Sequence, residues 1–196
     1  MSYIIKKTSV PIIWDNIPVL PIDNVLWRAD CGVRARCQLC YDEETLFVHL
    51  SAAEKTIRAE YSEPLSPVHE DSCLEFFFRL PGSGNYFNFE INPNGAMCLQ
   101  YGPRRGDRIN IVRRDEKEYF NLHTAKTPDG WEVFYQIPLK FIQLFSPDYR
   151  FGGELSANFY KCGDKTPNPH FLAWNPIPLE KPDFHCPQYF GKLIFE

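Results

Sequence analysis

Hydrophobic and polar residues alternate along two neighbouring segments of the chain, residues 73–80 and 86–92. Alternation with a period of two is typical of β-strands, because successive side chains point to opposite faces of a sheet. The five residues between them, Pro-Gly-Ser-Gly-Asn at 81–85, are all turn formers. We therefore predict a β-hairpin. Its polar row would contain Glu75, Asn88, Glu90 and Asn92.

The same kind of alternation predicts about ten short strands in the whole chain. Residues 4–26 are interrupted by prolines and residues 54–68 are polar and proline-containing, so both are expected to be irregular. Further strands are expected at 31–41, 46–52, 96–101, 109–113, 119–125, 131–137, 154–161, 171–175 and 192–195, with a short helix at 139–145. This order predicts an all-β fold, namely an antiparallel β-sandwich of the jelly-roll or immunoglobulin-like type with at most one or two short helices.

No linker or internal repeat divides the chain, so residues 1–196 are expected to form a single domain. Sixteen phenylalanines and an aromatic content of 15% supply more rings than a core of this size ordinarily needs. The net charge of −4 provides no basic surface for nucleic acid or an anionic membrane, and neither partner is expected. Nothing in the sequence indicates an oligomeric state.

The N-terminal residues lack the apolar stretch of a signal peptide, and no segment is long enough to span a membrane. The seven cysteines are an odd number, which is typical of a reducing compartment. We therefore expect a soluble cytoplasmic protein. Cys31, Cys37 and Cys40 lack a paired C-x-x-C partner, so reduced thiols are a better interpretation than a zinc site.

The two glutamates of the hairpin allow three interpretations. Glu75 and Glu90 could act as acid and base on a glycosidic bond, because strands that pair directly bring opposite side chains to within about 5 Å. They could also coordinate a calcium ion or accept hydrogen bonds from a ligand. The sequence contains no Walker loop, G-x-S-x-G, H-E-x-x-H or dinucleotide-binding motif that would indicate another reaction.

Sugar sites combine aromatic rings, which contact the C–H faces of the sugar, with polar side chains that bind its hydroxyl groups. This chain is rich in both types of residue. Trp174 lies in a proline-rich segment where a large aromatic side chain could stand exposed, and it is the candidate stacking platform.

Several motifs together resemble the carbohydrate-binding module family 9-like domains, and the resemblance covers nearly the whole chain. They are Trp27-Arg28, the Cys-Tyr-Asp-Glu-Glu-Thr-Leu-Phe-Val run at 40–48, the His-Glu-Asp-Ser-Cys-Leu-Glu-Phe-Phe run at 69–77, Tyr-Phe-Asn-Phe-Glu at 86–90 with Asn94-Gly95, Trp131-Glu132 leading to Ile137-Pro138, and the Ala-Asn-Phe-Tyr-Lys-Cys run at 157–162. The resemblance implies a jelly-roll β-sandwich, sugar binding by aromatic stacking and polar side chains, and a structural calcium ion in some members.

We therefore predict non-catalytic binding of a mono- or oligosaccharide in support of carbohydrate catabolism. No other cofactor is expected, and no metal ligands are assigned. A glycoside hydrolase that uses Glu75 and Glu90, and a structural or partner-binding sandwich without sugar, remain alternatives. The candidate ligand-binding residues are Arg28, His69, Glu75, Asn88, Glu90, Asn92 and Trp174.

Overall fold

The computed structural model describes every residue from Met1 to Glu196 and consists mostly of strands. The two α-helices, α1 (Glu116–Tyr119) and α2 (Leu139–Gln143), are each about one turn long, and no helix could cross a membrane. The strands are β1 (Ser2–Lys7), β2 (Leu20–Ile22), β3 (Asn24–Val25), β4 (Arg34–Tyr41), β5 (Thr45–Ala53), β6 (Cys73–Arg79), β7 (Tyr86–Ile91), β8 (Met97–Arg104), β9 (Asp107–Asn110), β10 (His123–Thr127), β11 (Gly130–Pro138), β12 (Glu154–Cys162), β13 (Phe171–Ala173) and β14 (Gly191–Phe195).

The strands pair in the order β10-β11-β5-β4-β1-β14-β12-β6-β7-β8-β9, with β2, β3 and β13 attached to this path. Most neighbours run antiparallel, but β1 lies parallel to both β4 and β14. The prediction of a β-rich fold with at most two short helices is therefore confirmed. The prediction of a purely antiparallel arrangement is wrong at β1. This strand joins two groups of strands, and its neighbour on each side, β4 and β14, runs in the same direction as β1.

Residues 4–26, which were predicted to be irregular, contain most of β1 and all of β2 and β3. Proline interrupts the hydrophobic pattern there but does not prevent pairing. Pro21 lies at the centre of β2, opposite Arg36 of β4, and its side chain is exposed. An edge strand tolerates proline because its outward N–H group needs no partner. The predicted strand at 119–125 is also shifted, since α1 occupies its first residue and β10 begins at His123.

The predicted hairpin forms as β6 and β7, and its apolar face packs into the main hydrophobic core. Phe76 and Phe78 of β6 are fully buried there, and the Phe76 ring stacks on Phe159 of β12 with the ring centres 4.6 Å apart. Val48 and Leu50 of β5 belong to the same cluster, so both groups of strands contribute to one core. Each such side chain contributes about 1.5–3 kcal/mol by burial.

The opposite face of the hairpin is covered by residues 177–190, which we call the covering segment. Phe184 of this segment stacks on Tyr160 of β12 with ring centres 4.1 Å apart, and its carbonyl accepts a hydrogen bond from the Tyr160 hydroxyl. Tyr160 and Phe77 belong to a second, smaller hydrophobic cluster beneath the segment. The polar row of the hairpin therefore lies on a face that the covering segment partly covers.

Candidate functional site

The strand register places most of the predicted polar row on one face. Glu75 of β6 lies directly opposite Glu90 of β7, which in turn lies opposite Cys98 of β8. Asn88 lies opposite Gln100 of β8 in the adjacent row. The hairpin therefore brings Glu75, Asn88 and Glu90 together, as the period of two predicts.

These strands and the covering segment border a cavity of about 410 Å³ that is partly open to solvent, which we call the Glu75 pocket. Strands β6, β7 and β9 supply Glu75, Glu90 and Arg108, and further polar groups come from the neighbouring loops and from the covering segment. Its aromatic side chains come from outside the hairpin. They are Trp27, which follows β3, Phe171 of β13 and Phe184 of the covering segment. The volume lies within the range of small-ligand sites, about 300–1,000 Å³.

Trp27 is held in place by its indole and by its backbone. Its Nε1 donates a hydrogen bond of 2.6 Å to the carbonyl of Leu179, and its ring centre lies 5.6 Å from that of Phe171. Its φ angle is +56°, a left-handed conformation that bulky residues rarely adopt. Leu65, also in the lining, has a φ of +60°. Strained backbone of this kind is often found where function requires a fixed side chain.

Glu75 is the most deeply placed polar group of the pocket, with an exposed fraction of 2%. The Cys162 thiol, which lies 2.9 Å from its Oε1, is the only hydrogen-bond donor to its carboxyl group. Burial raises the pKa of Glu75 well above its usual range, and the negative charge of Glu90 raises it further. Glu75 is therefore a buried acid with few polar partners.

Glu90 is better satisfied than Glu75. Its Oε1 accepts a hydrogen bond of 2.9 Å from Asn88 Nδ2. Burial raises the pKa of Glu90, while the positive charges of His69 and Arg108 oppose this shift. The two glutamates thus differ in their surroundings although they lie opposite each other.

Arg108 connects the hairpin to the covering segment. Its Nη1 donates to Asn88 Oδ1 and to His185 Nδ1, both at 2.9 Å. Because a guanidinium can only donate, the nearer His185 nitrogen, Nδ1 at 2.9 Å rather than Nε2 at 3.4 Å, is the acceptor, and the ring proton is then on Nε2. Burial and the charge of Arg108 lower the pKa of His185 to about 2, so this ring is neutral at neutral pH. A neutral histidine offers one N–H donor to a ligand.

The mouth of the pocket is charged. His69 is exposed there, and the mostly exposed Arg105 forms an ion pair of 3.2 Å with Asp183 of the covering segment. The sequence analysis did not assign Arg105, His185 or Trp27 to the site. Trp27 was noted only as part of a family motif, and no pattern in the sequence shows that the covering segment meets the hairpin.

Four of the seven predicted site residues, Arg28, Asn88, Asn92 and Trp174, do not line the pocket. Trp174 is 2% exposed and belongs to the main core, where its ring centre lies 5.9 Å from that of Phe159. A buried indole offers no face to a ligand, so the stacking role predicted for Trp174 does not agree with its position. Asn92 is fully buried and donates to Asp71 Oδ2 and to the Tyr61 carbonyl, both at 2.8 Å, which is a structural role.

Arg28, which was predicted at the rim, follows Trp27 directly and is exposed. It does not line the pocket. A role for Arg28 in binding a ligand that extends from the pocket stays a prediction.

The side chains of this chain do not fit the calcium ion that the family resemblance implies for some members. The structure contains one group of three or more His, Cys, Asp or Glu side chains close enough to hold an ion, and it consists of Cys73, Glu75 and Cys162. Calcium prefers six to eight oxygen ligands, and thiols are poor ligands for it. Asp71, the other deeply buried carboxylate nearby, is occupied by Arg58 and by Asn92.

A β-rich chain with a concave pocket that combines aromatic rings and polar side chains has the features of a small-ligand-binding protein. Comparison with known families identifies the class more closely. The model of carbohydrate-binding family 9 matches residues 8–195, almost the entire chain. The chain belongs to carbohydrate-binding family 9, and the resemblance seen in its motifs is confirmed.

Solved structures agree with this assignment. The chain is similar to a Bacteroides uniformis protein described as carbohydrate-binding, with 30% identity, a TM-score of 0.85, and coverage of 100% of this chain and 99% of the other. A family 9 module from Caldicellulosiruptor kristjanssonii shares the fold in its complex with cellotriose (13% identity, TM-score 0.67, coverage 100% and 94%) and in its complex with glucose (14%, 0.68, 100% and 96%). Comparison with curated proteins gives no match.

Proposed function

We propose that the Glu75 pocket binds a mono- or oligosaccharide without catalysing a reaction. The observation that carries the proposal is the combination of Trp27 and Phe171 with buried hydrogen-bonding groups in one cavity of about 410 Å³. Aromatic rings contact the weakly polar C–H faces of sugars, and fixed polar groups select the hydroxyl pattern. The pocket provides both kinds of contact.

The polar groups divide into donors and acceptors. Arg108 and the Nε2–H group of His185 donate, whereas Glu90 accepts once it is ionised, so a sugar hydroxyl could bind to both kinds at once. Asn88 supports this arrangement from behind, since it binds Glu90 through Nδ2 and Arg108 through Oδ1. We assign Trp27 the stacking role that the sequence suggested for Trp174.

Family membership and the solved structures support this function. The two Caldicellulosiruptor kristjanssonii complexes contain cellotriose and glucose, which makes glucose and short glucose oligomers the first ligands to test. We further propose that residues 1–196 form one domain and that the two groups of strands pack as a jelly-roll β-sandwich. Support for the sandwich is the shared core, to which strands of both groups contribute.

We also propose that the protein acts in the cytoplasm and supports carbohydrate catabolism. The seven cysteines support this location, because all of them are free thiols in the structure and a reducing compartment keeps them so.

Glycoside hydrolysis by Glu75 and Glu90 is the second candidate function. It is favoured by the direct opposition of the two residues and by the raised pKa of both carboxyl groups, since a general acid must stay protonated near neutral pH. The small exposed fraction of Glu75, 2%, weighs against direct contact with a glycosidic bond.

Calorimetry with glucose, cellobiose and cellotriose, combined with an assay on chromogenic glycosides, tests both functions. We expect binding of one sugar per chain in the millimolar to micromolar range and no turnover. The Glu90→Gln variant should weaken binding, whereas Glu118→Gln, a change on the exposed surface outside the pocket, should not. Absence of binding at millimolar sugar would overturn the binding proposal. Turnover that is lost in Glu75→Gln would establish the hydrolase instead.

A further inference from the structure

A cluster of two thiols and one carboxyl group lies at the floor of the Glu75 pocket. The Sγ atoms of Cys73 and Cys162 and a carboxyl oxygen of Glu75 all lie within 4.8 Å of one another. Strand geometry produces the cluster. Cys73 and Cys162 are directly opposite on β6 and β12, and Glu75 follows Cys73 by two residues on the same face.

The spacing suits a single metal ion. Zinc binds thiolate sulfur at about 2.3 Å and carboxylate oxygen at about 2.0–2.2 Å, so tetrahedral ligands of one zinc ion lie roughly 3.5–3.8 Å apart. Cys162 Sγ is already 2.9 Å from Glu75 Oε1. Small side-chain rotations are enough to bring the three groups around one ion.

Glu75 also lacks the partners that a buried carboxyl group normally has. Its only hydrogen-bond donor is the thiol of Cys162, and thiols are weak donors. No ammonium or guanidinium group forms an ion pair with it. Lys161 is adjacent to Cys162 in sequence, but its Nζ lies 3.2 Å from Glu54 and 2.8 Å from His170. Burial of a polar group without strong partners costs free energy. A bound cation would supply the partner that the Glu75 carboxyl group lacks.

We propose that Cys73, Glu75 and Cys162 bind one thiophilic divalent cation of the zinc class. The set of two thiolates and one carboxylate matches zinc and excludes calcium by ligand softness. Glu75 and Cys162 line the pocket, whereas Cys73 does not. The fourth position therefore faces the cavity and is open to water or to a ligand. The proposal does not require that the pocket binds sugar, because all three ligands come from β6 and β12.

Titration of the reduced, metal-free protein with Co²⁺ tests the site, since cobalt substitutes for zinc and its bonds to thiolates give a charge-transfer band in the near ultraviolet. We expect the band to saturate at one equivalent of Co²⁺ and to disappear when Zn²⁺ is added. Cys73→Ser and Cys162→Ser should lose the band. Cys40→Ser is the matched control, because Cys40 is equally buried but lies on β4 in another cluster. This variant should keep the band.

Glu75→Gln provides a second test that does not depend on the cysteine variants folding. Glutamine replaces a buried acid of nearly the same shape, and circular dichroism can verify that the fold is intact. We expect the affinity for Co²⁺ to fall at least tenfold while a weaker thiolate band remains. The proposal is overturned if the wild-type protein shows no band, if the band survives in Cys162→Ser or vanishes in Cys40→Ser, or if Glu75→Gln binds Co²⁺ as tightly as the wild type.

Discussion

Two cavities of equal size, about 410 Å³ each, lie beside buried glutamates, yet the two regions differ in almost every other respect. The second cavity, which we call the Glu54 pocket, borders Glu54, Lys55 and His170 and contains no Trp, Tyr or Phe side chain. Glu54 has three donors: Trp131 Nε1 at 2.6 Å, Ser72 Oγ at 2.9 Å and Lys161 Nζ at 3.2 Å. Glu75 has only a thiol.

The volume of a cavity does not by itself identify a binding site, since both pockets have the same volume. Lys161 neutralises the charge of Glu54 and forms an ion pair with it, so this buried network has a structural role and needs no ligand. Glu75 and its neighbours are not explained in this way, and they lie beside a strained Trp27. A buried polar group with a full set of partners indicates structure, whereas one with few partners next to an aromatic cavity indicates a ligand.

We expect the largest effect on the free energy of unfolding, which should depend strongly on the partners of Glu54 and only weakly on Glu75. Lys161→Met leaves Glu54 buried without its cation and should lower the free energy of unfolding by about 3–5 kcal/mol. Glu75→Gln should change it by less than about 1 kcal/mol, because no ion pair is lost. Urea unfolding of both variants measures this. An equal loss of stability in Lys161→Met and Glu75→Gln would contradict the view that only Glu54 has a structural role.

Sugar affinity should show the opposite pattern. Arg108→Ala removes a charged donor from the Glu75 pocket and should weaken binding by about 1.5–3 kcal/mol. Lys55→Ala, the matched change of a cation at the Glu54 pocket, should leave the affinity unchanged. Calorimetry on both variants gives the result, with melting temperatures as a control for folding. If only Lys55→Ala weakens binding, the sugar binds in the Glu54 pocket and the assignment to the Glu75 pocket is wrong.

Glu116 is a third buried glutamate, and it lines neither of the two pockets. It is 6% exposed, and burial raises its pKa to about 7 from an ordinary value of 4.5. The ionised form therefore destabilises the fold, and stability should fall as the pH rises from 4.5 to 7. Glu116→Gln should raise stability by about 1–2 kcal/mol at pH 8, allowing for partial access of water, and have no effect at pH 4. Thermal melts at the two pH values test this, and an equal effect at both would contradict it.

The smallest effect is expected for Arg28. Its side chain is exposed and does not line the pocket, so Arg28→Ala should change the affinity for a single sugar less than twofold. A larger loss for cellotriose than for glucose would show that Arg28 contacts rings outside the pocket. Calorimetry with the two sugars distinguishes these results.

Sequence patterns correctly predicted those features that depend only on local strand geometry, such as the face to which a side chain points. A period of two assigns Glu75, Asn88 and Glu90 to one face of the hairpin, and the register confirms it. The pattern could not show that Asn92 turns inward to Asp71, because both residues of that pair lie beyond the strands' ends.

The remaining parts of the site depend on contacts between distant segments. His185 reaches Arg108 only because Phe184 stacks on Tyr160, and neither contact follows from a local pattern. Similarly, β1 forms because Ser2 pairs with Lys192 at the other end of the chain. Trp27 and Trp174 lie in comparably irregular surroundings, so only the fold could show which indole faces the pocket.

The most direct test of the central claim compares those two tryptophans. Calorimetry with glucose or cellotriose should show that Trp27→Ala weakens binding about five- to tenfold, since the loss of an aromatic contact worth about 1–1.5 kcal/mol corresponds to such a change. Trp174→Phe, a smaller change in the core, should leave the affinity within about twofold provided that the variant is folded. Retained binding in Trp27→Ala together with loss in a folded Trp174→Phe would contradict the account.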